Sequence, residues 1–348
     1  MTISRVLGSI ALLAAVSCGV NGMDGKTGVQ GLPGPAGSSG SAGTDGTAGQ
    51  NGTNGTNGAD IALPGPNFYP ESITALSDGT LFVGSLGVGQ IWKNVPNSLV
   101  PTKFADNLKQ VNGVLADQAN DRLYACTTDT SVATNNVKVR SFGISDGQQK
   151  AVYDLPDGTK CNDMVFDGTG NLFVADSTGK IFKLDKGGTT LNQWAMGGML
   201  APATAGNFGA DGIVFDGTNY LFINNFETGK LIRIQIMGDG TAGTQDEIMV
   251  TPPLENPDGM RMINGTTLVS TENRLMGLGK LSKIVIDNTA KTGAKTVISN
   301  RLDGPTSFVK VGMVYWITEG QLQELFVGAP PPNNPDLPFL VRRLPSFE

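Results

Sequence analysis

From Glu71 onward the chain alternates short apolar runs with polar pairs rich in Gly, Asp and Asn. Runs of this kind, bounded by Asp-Gly, Asn-Gly and Gly-Lys, predict strands joined by tight turns. One unit recurs: ESITALSDGTLFVGS from Glu71, NGVLADQANDRLYACT from Asn112, NDMVFDGTGNLFVAD from Asn162, DGIVFDGTNYLFINN from Asp211, DGMRMINGTTLVSTE from Asp258 and DGPTSFVKVGMVYWITE from Asp303. The starts lie 41, 50, 49, 47 and 45 residues apart. Each unit continues into a third strand (QIWKNV, VKVRSF, KIFKLD, KLIRIQI, KLSKIVID, QLQELFV) and a weaker fourth, of which QKAVYDL, DEIMV and the terminal PFLVRRL are examples. Four strands per period predict an all-β fold, a six-bladed β-propeller of four-stranded blades over residues 67–348. No outer strand borrowed from the opposite terminus is legible, so ring closure is expected from packing of the first blade on the sixth.

The N-terminal pattern is different. Arg5 precedes an apolar run from Val6 to Val16, shorter than the roughly 20 residues a bilayer span needs, which reads as a cleaved export signal over residues 1–17. AAVSC resembles the bacterial lipobox, with Cys18 as the lipid-modified first residue of the mature chain and Ala15 where Leu is commoner. Gly19 after the cysteine resembles the outer-membrane sorting pattern. The expectation is a bacterial protein exported and lipid-anchored to the cell envelope, at the outer membrane or cell surface. From Gly22 to Gly58 glycine then recurs at every third position, the signature of a collagen-like tract, because only Gly fits the crowded axis of a triple helix. This stalk and its linker occupy residues 18–66. With only Pro33 and Pro35 in the tract, two readings stay open: a triple helix, which makes the chain a homotrimer, or a solvated Gly-rich tether. Either is a spacer, on the order of 110 Å long when extended.

Composition narrows the chemistry. The 48 glycines among 348 residues reflect the tract, and a formal charge of -6 with a pI near 4.8 gives no footprint for nucleic acid. Histidine is absent, which excludes Ser-His-Asp and Cys-His nucleophile systems and His-ligated zinc. Any reaction must run on carboxylates, amides, lysine or a hard cation. Beyond Cys18, Cys126 and Cys161 remain, and a disulfide in an exported domain or a pair of buried thiols are both open.

In a propeller the residue just before each innermost strand faces one mouth of the central channel. Here those positions hold Glu71, Asn112, Asn162, Asp211, Asp258 and Asp303. Asn112 and Asp303 precede glycine and also read as turn formers, as do the hairpin pairs at Asp78, Asp167 and Asp216. Glu71, Asp211 and Asp258 converging on one space would repel, at roughly 4 kcal/mol for a pair 4 Å apart at an effective dielectric of 20. A bound hard cation offsets that, and Ca²⁺ accepts irregular carboxylate and amide sets.

The phrases NDMVFDGTGNLFVADSTGKIFKLD and PDGM resemble the SMP-30/gluconolactonase family of six-bladed propellers, over essentially all of 67–348. The resemblance implies one divalent cation held by Glu71, Asn162, Asp211 and Asp258, with Lys160, where Arg is usual, contacting substrate. Asp211 departs from the family's Asn; a third carboxylate tightens cation binding and weakens the cation's pull on a substrate carbonyl. It further implies hydrolysis of a lactone or related ester, with Asp258 as general base and Lys160 orienting substrate or sharing negative charge. The alternative is a non-catalytic binding or adhesion module, displayed on the stalk and recognising a surface ligand.

Overall fold

The computed structural model describes residues 59–134, 136–274, 278–326 and 335–346. The residues expected to form an export signal, Cys18 and the Gly-X-Y tract through residue 58 lie outside them. The strands group into six four-stranded antiparallel units. Their innermost strands are Pro70–Ala75, Gln110–Asp117, Cys161–Phe166, Ala210–Phe215, Pro257–Asn264 and Pro305–Val311. Each packs beside the next, and the sixth returns to the first, closing a ring. Blades 4 and 5 also join at their outer edges, where Met249–Thr251 pairs in parallel with Thr292–Ala294.

The apolar residues explain why the ring is the stable unit. Buried side chains fall into six clusters, each drawn from two consecutive blades. Phe173 and Ile181 of blade 3, for example, pack on Ile213 and Ile223 of blade 4. A lone blade would leave such faces wet, so stacking builds the core. The hairpin aspartates behave as the sequence predicts: Asp167 Oδ1 accepts the backbone N–H of Thr169 and Asn171 at 2.9 Å each.

Closure differs from expectation. A two-residue strand, Ile61–Ala62, supplies the outer strand of blade 6 by pairing with Leu340–Pro345. Asp60 locks it, accepting from Arg342 Nη1 at 3.0 Å and from the Arg343 N–H at 2.8 Å. Ile61 and Leu63 then join Phe68, Ile73, Phe339 and Val341 in the cluster between blades 6 and 1. The propeller therefore starts before residue 67, and the closing strand is too short to leave a pattern. Within blade 6, QLQELFV is not the third strand; Leu322–Phe326 is helical, and Leu340–Pro345 takes the third place.

Cys126 and Cys161 form a disulfide with Cα atoms 5.5 Å apart, inside the usual range of about 4.4–6.8 Å. It joins the second strand of blade 2 to the first residue of blade 3. Replacing both cysteines with Ala is expected to lower unfolding stability by about 3–4 kcal/mol, on the loop entropy of a 35-residue separation. Denaturant unfolding of the double variant checks this; a loss below about 1 kcal/mol would mean that ring closure already supplies the constraint.

Candidate functional site

A β-bulge sits near the start of every innermost strand: between Pro70 and Ser72, Val111 and Gly113, Cys161 and Met164, Ala210 and Ile213, Pro257 and Met260, and Pro305 and Phe308. A bulge places an extra residue against the partner strand and re-aims its side chain. Glu71, Asn112, Asn162, Asp211, Asp258 and Thr306 fall at these bulges. The first five line one cavity of ≈ 320 Å³, together with Lys160. All the residues expected to serve a cation or substrate are thus brought together, and Asn112 joins them.

Asp303 does not occupy the sixth position. It lies three residues before the bulge, its N–H donates to Glu319 Oε1 at 3.1 Å, and the following Gly304 has φ +55°, so this Asp-Gly is a turn. Thr306 stands in its place, donating from Oγ1 to the Pro70 carbonyl at 2.9 Å. Asn112-Gly113 is the opposite case. A Cβ on Gly113 would stand 2.0 Å from the Asn162 carbonyl oxygen, and one on Gly212 would stand 2.5 Å from that of Asp258. These glycines let neighbouring inner strands approach closely.

The residue ending the second strand ties down the segment that leads into the inner strand. Asp176 Oδ1 accepts the Lys160 N–H at 2.7 Å, and Glu272 Oε2 accepts the Glu255 N–H at 2.7 Å. Asn225 Nδ2 donates to the Met199 and Ala201 carbonyls at 2.9 Å each. The polar endings VAD, INN, STE and ITE of the repeated units therefore fix the loops around the cavity.

Glu71, Asp211 and Asp258 are buried, and each carboxyl is pushed well above its ordinary range. Burial is the largest cause for all three. Asp211 and then Asp163 add to it for Glu71, Asp258 and then Asp163 for Asp211, and Glu71 for Asp258. Asn162 Nδ2 donates to Asp211 Oδ2 at 2.9 Å and to Ser177 Oγ at 3.2 Å, while Asn273 Nδ2 donates to Asp258 Oδ2 at 3.2 Å. Asp211 Oδ1 and Asn112 Oδ1 are buried and have no hydrogen-bond partner. Among the described residues no three Asp, Glu or Cys side chains are grouped so that they could hold a metal ion by themselves. The donor set is mixed: carboxylates that repel, and amide and carboxylate oxygens left over, which suits a hard, oxygen-seeking cation.

One residue past Asn162, Asp163 pairs with Arg261 Nη1 at 2.9 Å. The guanidinium also donates to the Ile73 carbonyl at 3.3 Å and Ser307 Oγ at 3.4 Å, bracing blade 5 against blades 3, 1 and 6. Lys160 Nζ donates to the Gly206 carbonyl at 2.6 Å and stands 4.4 Å from the centroid of the Phe208 ring. Phe208, Phe226, Leu86 and Leu322 form an apolar wall of the cavity. Sequence reading missed the wall because Phe208, Phe226 and Leu86 lie in loops and turns outside the repeated strands, and Leu322 lies in a short helix where the pattern predicts a strand.

Residues 17–67 match the family model for the collagen triple helix repeat. No curated protein matches the chain. Among solved structures, a gluconolactonase from Xanthomonas campestris is 13% identical with a TM-score of 0.56, covering 74% of this chain and 84% of its own. A luciferin-regenerating enzyme is 12% identical with a TM-score of 0.57, covering 76% and 89%. Virginiamycin B lyase from Staphylococcus aureus is 16% identical with a TM-score of 0.52, covering 75% and 81%. At such identity a likeness carries the fold alone. The chain thus joins a collagen-like tract to a β-propeller whose structural neighbours include gluconolactonase-like propellers.

Proposed function

We propose that the propeller is a metal-dependent hydrolase of lactones or related esters, held at the bacterial cell envelope by lipidated Cys18 and its collagen-like stalk. The observation that carries the reading is the convergence of Glu71, Asn162, Asp211 and Asp258, from four blades, on one open cavity with buried oxygen atoms left unpartnered. These four residues would hold a divalent cation, Ca²⁺ by their oxygen donors. When bound, it would polarise the substrate carbonyl and offset the negative charge that develops there.

The chain's own groups supply the rest. Asp258 takes the proton of the attacking water as the water's oxygen bonds to the carbonyl carbon. It returns that proton to the ring or alcohol oxygen as the C–O bond breaks. Asn112, with its unpartnered Oδ1, orients a donor on water or substrate. Lys160 adds positive potential from the cavity wall.

The test is turnover by the full chain on a panel of lactones and esters, after chelation and then with Ca²⁺ restored. Cation-dependent hydrolysis is the expected result; tight cation binding with no hydrolysis across the panel would leave a display module instead. A stability measurement accompanies it. Carboxyls raised in the folded state are penalised as pH climbs above their unfolded values, so the chelated protein should lose stability from the ordinary carboxylate range upward. Ca²⁺ needs those groups ionised. Its stabilisation should therefore be larger at pH 8 than at pH 5, reaching about 2.7 kcal/mol at a hundredfold excess over Kd; an equal shift in melting temperature at both would count against these ligands.

A further inference from the structure

We infer that the cavity takes a ligand with a polar reacting end and an apolar body: a lactone or ester carrying an aliphatic or aromatic substituent, not a polyhydroxylated sugar lactone. The identity of the reacting end rests on the hydrolase reading; the apolar body rests on the wall alone.

That wall is built and held before any ligand arrives. Phe208 and Phe226 are half-buried and meet edge to face, with centroids 6.2 Å apart. Leu86 and Leu322, nearly buried, line the same cavity from blades 1 and 6. The loop that carries Phe208 is clamped from blade 4: Glu227 Oε2 accepts the Thr204 N–H at 3.0 Å, and Glu227 Oε1 accepts from Asn207 Nδ2 at 2.7 Å. The Phe226 N–H donates to the Gly209 carbonyl at 2.9 Å, and the Glu227 N–H to that of Phe208 at 3.2 Å. Lys160 adds a strut, with its ammonium on the Gly206 carbonyl and over the Phe208 face. A clamped wall loses little conformational entropy when it is covered.

A sugar lactone would fit this surface poorly. Its hydroxyls would exchange water for ring faces and leucine methyls, and an unmade hydrogen bond weakens binding more than a made one strengthens it. An alkyl or aryl substituent would instead remove the same surface from water. The polar side chains of the lining, Gln110, Thr128 and Thr130 among them, would orient the carbonyl-bearing end, in keeping with pockets that orient an apolar ligand through polar groups.

The experiment is calorimetric binding to the full chain with Ca²⁺ present, using two non-hydrolysable probes: a γ-lactam bearing a hexyl chain and a polyhydroxylated δ-lactam. The alkyl lactam should bind at least about tenfold tighter. Phe226→Ala should remove that preference and Phe226→Leu should keep it, which separates an apolar surface from a purely structural role. Equal binding, preference for the polyol, binding of neither, or a folded Phe226→Ala chain with its preference intact would each overturn the inference. The comparison on the unsubstituted chain decides even if Phe226→Ala does not fold. Turnover of the matching lactones is read separately. A preference without turnover keeps the apolar ligand and ends the hydrolase reading; turnover of the polyol lactone alone does the reverse.

Discussion

Replacing Asp258 with Asn is expected to lower turnover by about 10³-fold while leaving the propeller folded. The side chain sits at a bulge that aims it into the cavity, and Asn273 Nδ2 holds one of its oxygens at 3.2 Å. An Asn of the same shape keeps the packing but cannot accept the water's proton. At saturating Ca²⁺, which offsets the weaker hold of a ligand set with one carboxylate fewer, the effect should fall on kcat, because proton transfer belongs to the transition state and not to substrate binding. Without a cation the same variant should melt higher than the unsubstituted chain, since it removes one of three buried carboxyls that repel. Steady-state kinetics and a thermal melt after chelation check the two halves. Activity within about tenfold of the unsubstituted chain would dismiss Asp258 as the base.

The repeat made the propeller legible because six units placed strands, turns and mouth residues in register, so an error in one unit was outvoted by five others. That redundancy ends where the units differ. Ile61–Ala62 offers two residues and no turn, too little for a periodic signal, yet Asp60 and two arginines make it the closing strand. Blade 6 holds a helix where a third strand was expected, and its true third strand lies further along the chain.

The candidate site was legible for the same reason, and its misreading was physical. Glycine after an acidic or amide residue has two uses: a positive φ in a turn, as at Gly304, or the absence of a Cβ where strands nearly touch, as at Gly113 and Gly212. Sequence shows that a side chain is missing but not which use it serves. Asn112 therefore reads both as a mouth residue and as a turn former, as Asp303 does, although of the two Asn112 alone lines the cavity. The Phe208–Phe226 wall and the Arg261 brace depend on contacts between residues far apart in the chain, which no local spacing encodes.

Arg261 carries the largest expected effect on stability. Its partner Asp163 has a side chain only 7% exposed, so removing the guanidinium strands a charge that water scarcely reaches. Breaking a buried pair from one side costs about 3–5 kcal/mol. For a domain of this size that is a fall of roughly 10 °C in melting temperature. Arg261→Leu should show it, and Asp163→Leu on the same chain should recover part of it, because no uncompensated charge then remains. Arg261→Lys should lie between, since an ammonium keeps the charge but loses the fork that spans Asp163, Ile73 and Ser307. The same charge lowers the Glu71 carboxyl against the causes that raise it, so Arg261→Leu should move the onset of Ca²⁺ binding to higher pH as well as weaken the fold. Thermal melts with and without Ca²⁺ read both effects. A loss under about 1 kcal/mol, or a double variant no better than Arg261→Leu, would mean that the axis is wet enough to screen the pair.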